Sequence, residues 1–151
     1  TTLDSHRDRP VMDVDLAALE GFDLVPFRAA VDRAVAGIML SHILYTRLDH
    51  KWPASLSPRI ARDLLRKRLG FNGIVMTDDL EMGAIERHYG FDAAVRQVLK
   101  ADIDVVLICR SREKLDHAFG VMVGTIGNSE TLRRRAEASA ARIMALKTLY
   151  L

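Results

Sequence analysis

The chain has 151 residues, 49% hydrophobic and 28% charged, the balance of an ordinary globular domain with room for one core. Its 22 Lys and Arg against 20 Asp and Glu leave a net charge of +2, which gives no electrostatic reason to expect nucleic acid or a membrane surface as a partner. The single cysteine, Cys109, excludes an internal disulfide, and no apolar run approaches the roughly 18 residues that a membrane span needs.

The chain opens with Thr1-Thr2 rather than Met, which suggests processing, truncation or an incomplete sequence. Thr1 to Pro10 is polar, follows no helix or strand period, and reads as a loop; Asp4-Ser5-His6 lies inside it. Asp13 to Leu19 reads as a short helix stopped by Gly21, and Asp23 as the N-cap of a second helix entering through Pro26. Gly37-Ile38-Met39-Leu40 is a buried-strand candidate that ends in Ser41-His42, and a long connection from Tyr45 to Leu56 follows, containing Trp52-Pro53. Ser57 and Pro58 then make an N-cap and first-turn pair for a helix with Ile60, Ala61, Leu64, Leu65 and Leu69 on one face, stopped by Gly70.

Ile74-Val75-Met76 is the next strand, and it runs through Thr77 straight into Asp78 and Asp79. An unpaired buried carboxylate is expensive, so both acids are expected just past the strand's C-terminal end. Asp92 is expected to cap a helix with Ala94, Val95, Val98 and Leu99 inward. Val105 to Ile108 is the third strand, ending in Cys109-Arg110, and a helix from about Arg112 to Val123 comes next. The Gly127-Asn128-Ser129 turn leads into a last helix from Glu130 towards Leu149, whose Arg133-Arg134-Arg135 run reads as a solvated face.

The strands start roughly 30 to 36 residues apart, the size of successive βαβ units, so a parallel sheet is expected. Parallel strands bring Ser41-His42, Thr77-Asp78-Asp79 and Cys109-Arg110 to one edge, the edge on which α/β proteins keep their ligands. At that edge Asp78 reads equally as a functional carboxylate or an ordinary loop acid, and Asp79 as the cap of a following helix. Three strands make a poor complete sheet, and a full (β/α)8 barrel takes about 250 residues, so the chain reads as part of something larger.

The motifs DSHRDRP at 4–10, PFRAAVDRAVAGIMLSH at 26–42 and PASLSPRIARDLLRKRLGFNGIVMTDDLEM at 53–82, with Ala101-Asp102-Ile103-Asp104 leading into the third strand, resemble family 3 glycoside hydrolases. The nearest branch is the β-N-acetylhexosaminidases of bacterial peptidoglycan turnover. The resemblance implies a (β/α)8 TIM-type barrel, with residues 1–151 as one partial domain, its C-terminal portion of about strands six to eight. It implies a retaining glycosidase that removes terminal β-linked N-acetylhexosamine from N-acetylglucosamine-containing glycans through a covalent glycosyl-enzyme intermediate, with no cofactor or metal.

Residue by residue, Asp78 matches the nucleophile of the family's Ser/Thr-Asp motif, and His6 the general acid/base with Asp4 orienting its imidazole. Histidine's ordinary pKa of about 6.5 suits proton transfer near neutrality. His42 stands where the family has Ala-His or Ser-His, and either lines the sugar pocket, the reading favoured here, or buttresses the barrel. Trp52 either stacks on a sugar or, as favoured here, pins its own loop. Glu81 replaces a small residue of many members, a departure that leaves Asp78 untouched. The implied location is cytoplasmic, with a periplasmic or secreted one open, and the implied partner is an N-terminal barrel half. Two alternatives stand beside this reading: a catalytically silent barrel fragment that acts only as an assembly half, and a metal-dependent hydrolase using His6, Asp78 and Asp79.

Overall fold

The computed structural model describes residue 4 and residues 8–150. Its elements in chain order are β1 (Val11–Met12), α1 (Leu16–Gly21), α2 (Val25–Asp32), β2 (Gly37–Leu40), β3 (Leu44–Tyr45), a 3-10 turn (Ala54–Leu56), a π-helix (Arg59–Arg68), β4 (Ile74–Asp79), α3 (Gly83–Glu86), α4 (Phe91–Ala101), β5 (Val105–Leu107), α5 (Arg112–Gly127) and α6 (Glu130–Tyr150). The apolar runs form a parallel sheet in the order β2-β4-β5, and β1 pairs with β3 in a separate parallel ribbon. The protein is thus α/β with parallel strands.

Side-chain alternation gives the sheet two unlike faces. Ile38 and Leu40 of β2 pair with Val75 and Thr77 of β4, and all four are buried. On that side Ile38, Leu40 and Val75 join the core made by Ile60, Ala61 and Leu65 of the π-helix and by Ala94, Val95 and Val98 of α4. Met39, Met76 and Val105 form the opposite row in register, and there Met39 is 49% exposed. Burial of the predicted faces of the π-helix and α4 bears out their apolar spacing. Between Phe71 and β4, Gly73 is needed by close approach: a Cβ there would lie 2.6 Å from the Phe71 ring and 2.7 Å from the Ala36 carbonyl oxygen.

Three expectations are corrected. Asp78 and Asp79 are the last two residues of β4, not residues beyond it. Met76 pairs with Val105 and Asp79 with Leu107, so three steps on β4 face two on β5, a β-bulge at the two acids. The Thr77 hydroxyl accepts the Leu107 N–H at 3.1 Å, which satisfies a donor that the bulge takes out of the ladder. Asp23 does not cap α2, whose N-cap is Leu24 with no side-chain bond. Nor does Asp92 cap α4: the cap is Gly90 at φ 71°, and the Asp92 carboxylate is taken by His117 at 2.7 Å and Arg96 at 3.3 Å. Ser57 does satisfy the helix after it, accepting the Ile60 N–H at 3.2 Å.

Buried polar side chains hold β4 at both ends. At its start Asp104, with a side chain 0% exposed, accepts the Val75 N–H at 2.8 Å and ion-pairs with Arg66 at 2.5 Å and Arg142 at 2.7 Å. Ser139 donates to the same carboxylate at 2.7 Å, so this network joins β4 to the π-helix and α6. At its end His42, wholly buried, reaches the main-chain oxygen of Asp79 from Nε2 at 2.8 Å and Ser55 Oγ from Nδ1 at 2.6 Å. A carbonyl only accepts, so Nε2 carries the proton, and the neutral ring accepts the Ser55 hydroxyl proton at Nδ1. Burial pushes the His42 pKa below its ordinary 6.5, against the pull of the Asp79 oxygen and the Asp78 and Asp79 carboxylates.

Asp104→Ala in the full-length protein leaves two arginines without their buried partner and should cost about 3 kcal/mol, seen as a lower urea midpoint. A second expectation concerns pH. Above about 6.5 His42 is neutral folded and unfolded alike; as pH falls through that value the unfolded chain takes up a proton that the folded ring refuses. Stability should therefore fall by about 1.4 kcal/mol per pH unit per such proton, until the lowered folded pKa is reached. The part of the slope due to this residue should be missing in His42→Gln when unfolding is compared between pH 7 and 5.

Candidate active site

Three carboxylates lie within four residues at the C-terminal edge of the sheet, and their surroundings separate them. Asp79 accepts the Glu81 N–H at 3.1 Å and the Cys109 N–H at 3.3 Å through one oxygen, closing the turn after β4 and joining it to the chain leaving β5. Glu81 is 3% exposed and accepts the N–H groups of Arg110 at 2.6 Å and Ser111 at 3.2 Å, with the Lys114 ammonium 3.6 Å away. Burial would raise the Glu81 pKa; the two N–H groups and the Lys114 and Arg110 charges outweigh it and hold the carboxyl below its ordinary range. Glu81 thus shapes the start of α5, where Ser111 in turn caps Lys114.

Asp78 differs from both. Among the described residues its carboxylate accepts one hydrogen bond, from the Asp79 N–H at 2.8 Å, and the residue is half-buried at the bulge. It is the acid of the three least committed to holding backbone, on a strand fixed at both ends. Cys109 beside it is exposed, and desolvation together with the Asp79, Glu81 and Asp78 carboxylates raises its pKa, so it is no thiolate nucleophile.

The other expected site residues fare unequally. His6 lies outside the described residues. Asp4 is exposed, and its main-chain oxygen accepts the Asp8 N–H at 3.1 Å. His42 is at the C-terminal edge of the sheet with both ring nitrogens spent on Ser55 and Asp79, which fits the buttress reading, while the pocket wall favoured from sequence is not tested by these bonds. Trp52 stacks on Tyr89, ring centroids 5.4 Å apart, which fits pinning of its loop. Sequence reasoning gave Ser55, Tyr89 and Arg9 no role of their own, since single Ser, Tyr and Arg residues in loops carry no periodic signal. No three His, Cys, Asp or Glu side chains among the described residues could together hold a metal.

Comparison with known proteins places the chain in a family. Residues 1–146 match the model of the glycosyl hydrolase family 3 N terminal domain. A β-hexosaminidase of Stenotrophomonas maltophilia is 36% identical over 129 residues, 85% of this chain and 38% of the relative. Another, of Thiobacillus denitrificans, is 38% identical over 116 residues, 77% of this chain and 32% of the relative. Among solved structures, a family 3 β-N-acetylglucosaminidase from a Paenibacillus species superposes with TM-score 0.91 at 33% identity, covering 97% of this chain and 28% of that one. The β-N-acetylglucosaminidase of Thermotoga maritima gives TM-score 0.86 at 26% identity, covering 96% and 32%. The chain spans less than two fifths of the length of these relatives, and over that span it belongs to glycosyl hydrolase family 3.

Proposed function

We propose that the full-length protein is a retaining β-N-acetylhexosaminidase acting on N-acetylglucosamine-containing glycans such as peptidoglycan fragments, with this chain supplying the nucleophile, the acid/base and about strands six to eight of a (β/α)8 barrel. The names of the relatives favour the substrate class, and one observation carries the reaction. Of the three acids at the sheet edge, Asp78 alone is not consumed by backbone N–H groups across the loops. It stands half-buried at the end of a rigid strand, at the family's Thr-Asp position.

In the first step a carboxylate oxygen of Asp78 bonds to the anomeric carbon as the glycosidic C–O bond breaks, and protonated His6 delivers its proton to the departing oxygen. The Asp78 charge also stabilises the oxocarbenium-like transition state. In the second step neutral His6 takes a proton from water, whose oxygen attacks the anomeric carbon and frees Asp78 with net retention. Asp4 orients the imidazole and fixes its tautomer. His42 acts through the main chain of Asp79, holding the strand end from which Asp78 projects.

Met39, on the sheet face away from the core, is 49% exposed, which supports reading these residues as one wall of a pocket and favours a chain that does not turn over on its own. The 151 residues alone should show no hydrolysis of an aryl β-N-acetylglucosaminide; robust turnover would put the whole pocket within this chain. In the full-length protein a 2-fluoro sugar should label Asp78, not Asp79, by peptide mass spectrometry, and Asp78→Ala should abolish the label. Label on Asp79 would make Asp79 the nucleophile, and no label with normal turnover would point to attack by the substrate's own acetamido group. His6→Ala should lose about 10²–10⁴-fold on a disaccharide and far less on an activated aryl glycoside, because only the poor leaving group needs the proton. Equal loss on both would make His6 a loop or sugar-holding residue.

A further inference from the structure

Two consecutive residues of the N-terminal segment meet two consecutive residues of the loop between α3 and α4. Asp8 Oδ1 accepts from His88 Nε2 at 2.5 Å, and Arg9 donates from a terminal guanidinium nitrogen to the Tyr89 hydroxyl at 2.6 Å. The guanidinium also lies over the Tyr89 ring, 5.5 Å from its centroid, and the ring is stacked on Trp52. The next residue, Pro10, is fully buried, and its oxygen accepts the Leu44 N–H at 2.9 Å at the start of the β1–β3 ribbon. Three successive residues are therefore held at once.

Each side of this contact leads directly to one of the two proposed reacting groups. Asp8 is two residues from His6, at most about 7 Å of chain. His88 and Tyr89 follow β4 through Leu80, Ala84 and Ile85, each 0% exposed, and both of their N–H groups return to the Ile85 oxygen. That loop is thus a rigid extension of the strand that ends in Asp78. Acid and nucleophile must stand in a set geometry across the glycosidic bond, and a misplacement of about 1 Å can cost around 100-fold.

We propose that the Asp8–His88 and Arg9–Tyr89 contacts form a clamp that sets the acid-bearing segment against the nucleophile strand, with Arg9 and Tyr89 as positioning residues for leaving-group protonation. The proposal rests on the assignment of His6 as the acid. Tyr89→Phe keeps the stack on Trp52 and removes only the oxygen that Arg9 uses, and Arg9→Met keeps the stem and removes the guanidinium. Neither residue is one of the proposed reacting groups, so on this proposal the defect passes through His6.

The test measures kcat/KM of the full-length protein on a disaccharide and on an activated nitrophenyl glycoside, in Tyr89→Phe, Arg9→Met, His6→Ala and the double variant His6→Ala/Tyr89→Phe. Tyr89→Phe should lose about 10-fold and Arg9→Met more on the disaccharide, with less than about 2-fold on the activated substrate, a smaller version of the His6→Ala pattern. In the His6→Ala background Tyr89→Phe should cost nothing further, since the group it positions is gone. Arg9→Lys, which keeps the charge but not the planar fork, should recover only part of the loss. If Tyr89→Phe and Arg9→Met lose equally on both substrates, or their losses add to that of His6→Ala, the clamp is merely structural and the proposal is overturned while the acid assignment stands. If His6→Ala itself shows no dependence on the leaving group, the acid assignment fails and the clamp fails with it.

Discussion

The site depends on a central strand whose two ends are held by side chains rather than by more strand. At one end the Asp104 carboxylate takes the first available N–H of β4, and at the other the His42 imidazole donates to its last carbonyl. Both side chains are fully out of solvent, where a hydrogen bond left unmade is costly, so each contact is also a penalty against movement. A three-stranded sheet has little pairing with which to resist fraying. The two pins make the position of Asp78 a property of the core, and the bulge between them can then turn the strand end without loosening it.

The same economy explains why three acids can crowd one strand end. Like charges this close repel unless each finds compensating donors. Asp79 and Glu81 find theirs in backbone N–H groups from the chain leaving β5, and Glu81 gains Lys114 and Arg110 besides. Their charge is thereby spent on shaping the edge. Asp78 is left with a single bond from its neighbour's N–H, the arrangement a nucleophile needs, since a carboxylate saturated with donors is a poor one.

Much of this was legible in the chain. Continuous apolar runs at 37–40, 74–76 and 105–107 located the strands because both faces of the parallel sheet carry apolar side chains, whatever their burial, and no polar alternation obscures them. The helix faces were legible from spacing alone. What escaped was whatever depended on a distant partner. β4 runs through the two acids because the Thr77 hydroxyl and the Leu107 backbone accommodate the bulge, and nothing near Asp78 in sequence announces Leu107. Asp92 looked like a cap, yet His117 and Arg96 outbid the helix end for it, while Gly90 turned the chain with a positive φ. His42 kept its place at the edge, and its partner Ser55, thirteen residues on, could not be read from the residues around it.

The two faces of the sheet complete the argument from packing to chemistry. Ile38, Leu40, Val75 and Thr77 point into the helices and set the strand's depth, whereas Met39, Met76 and Val105 form a row on the other side. Asp78 lies two residues beyond Met76 along β4, past the end of that row. A carboxylate shielded from water acts more strongly on a developing positive charge than one in bulk solvent. Covering the Met39 face is therefore more than a matter of stability. In the full-length protein proposed above, a wall over that face also keeps water from Asp78, which links closure of the fold to the proposed nucleophilic attack.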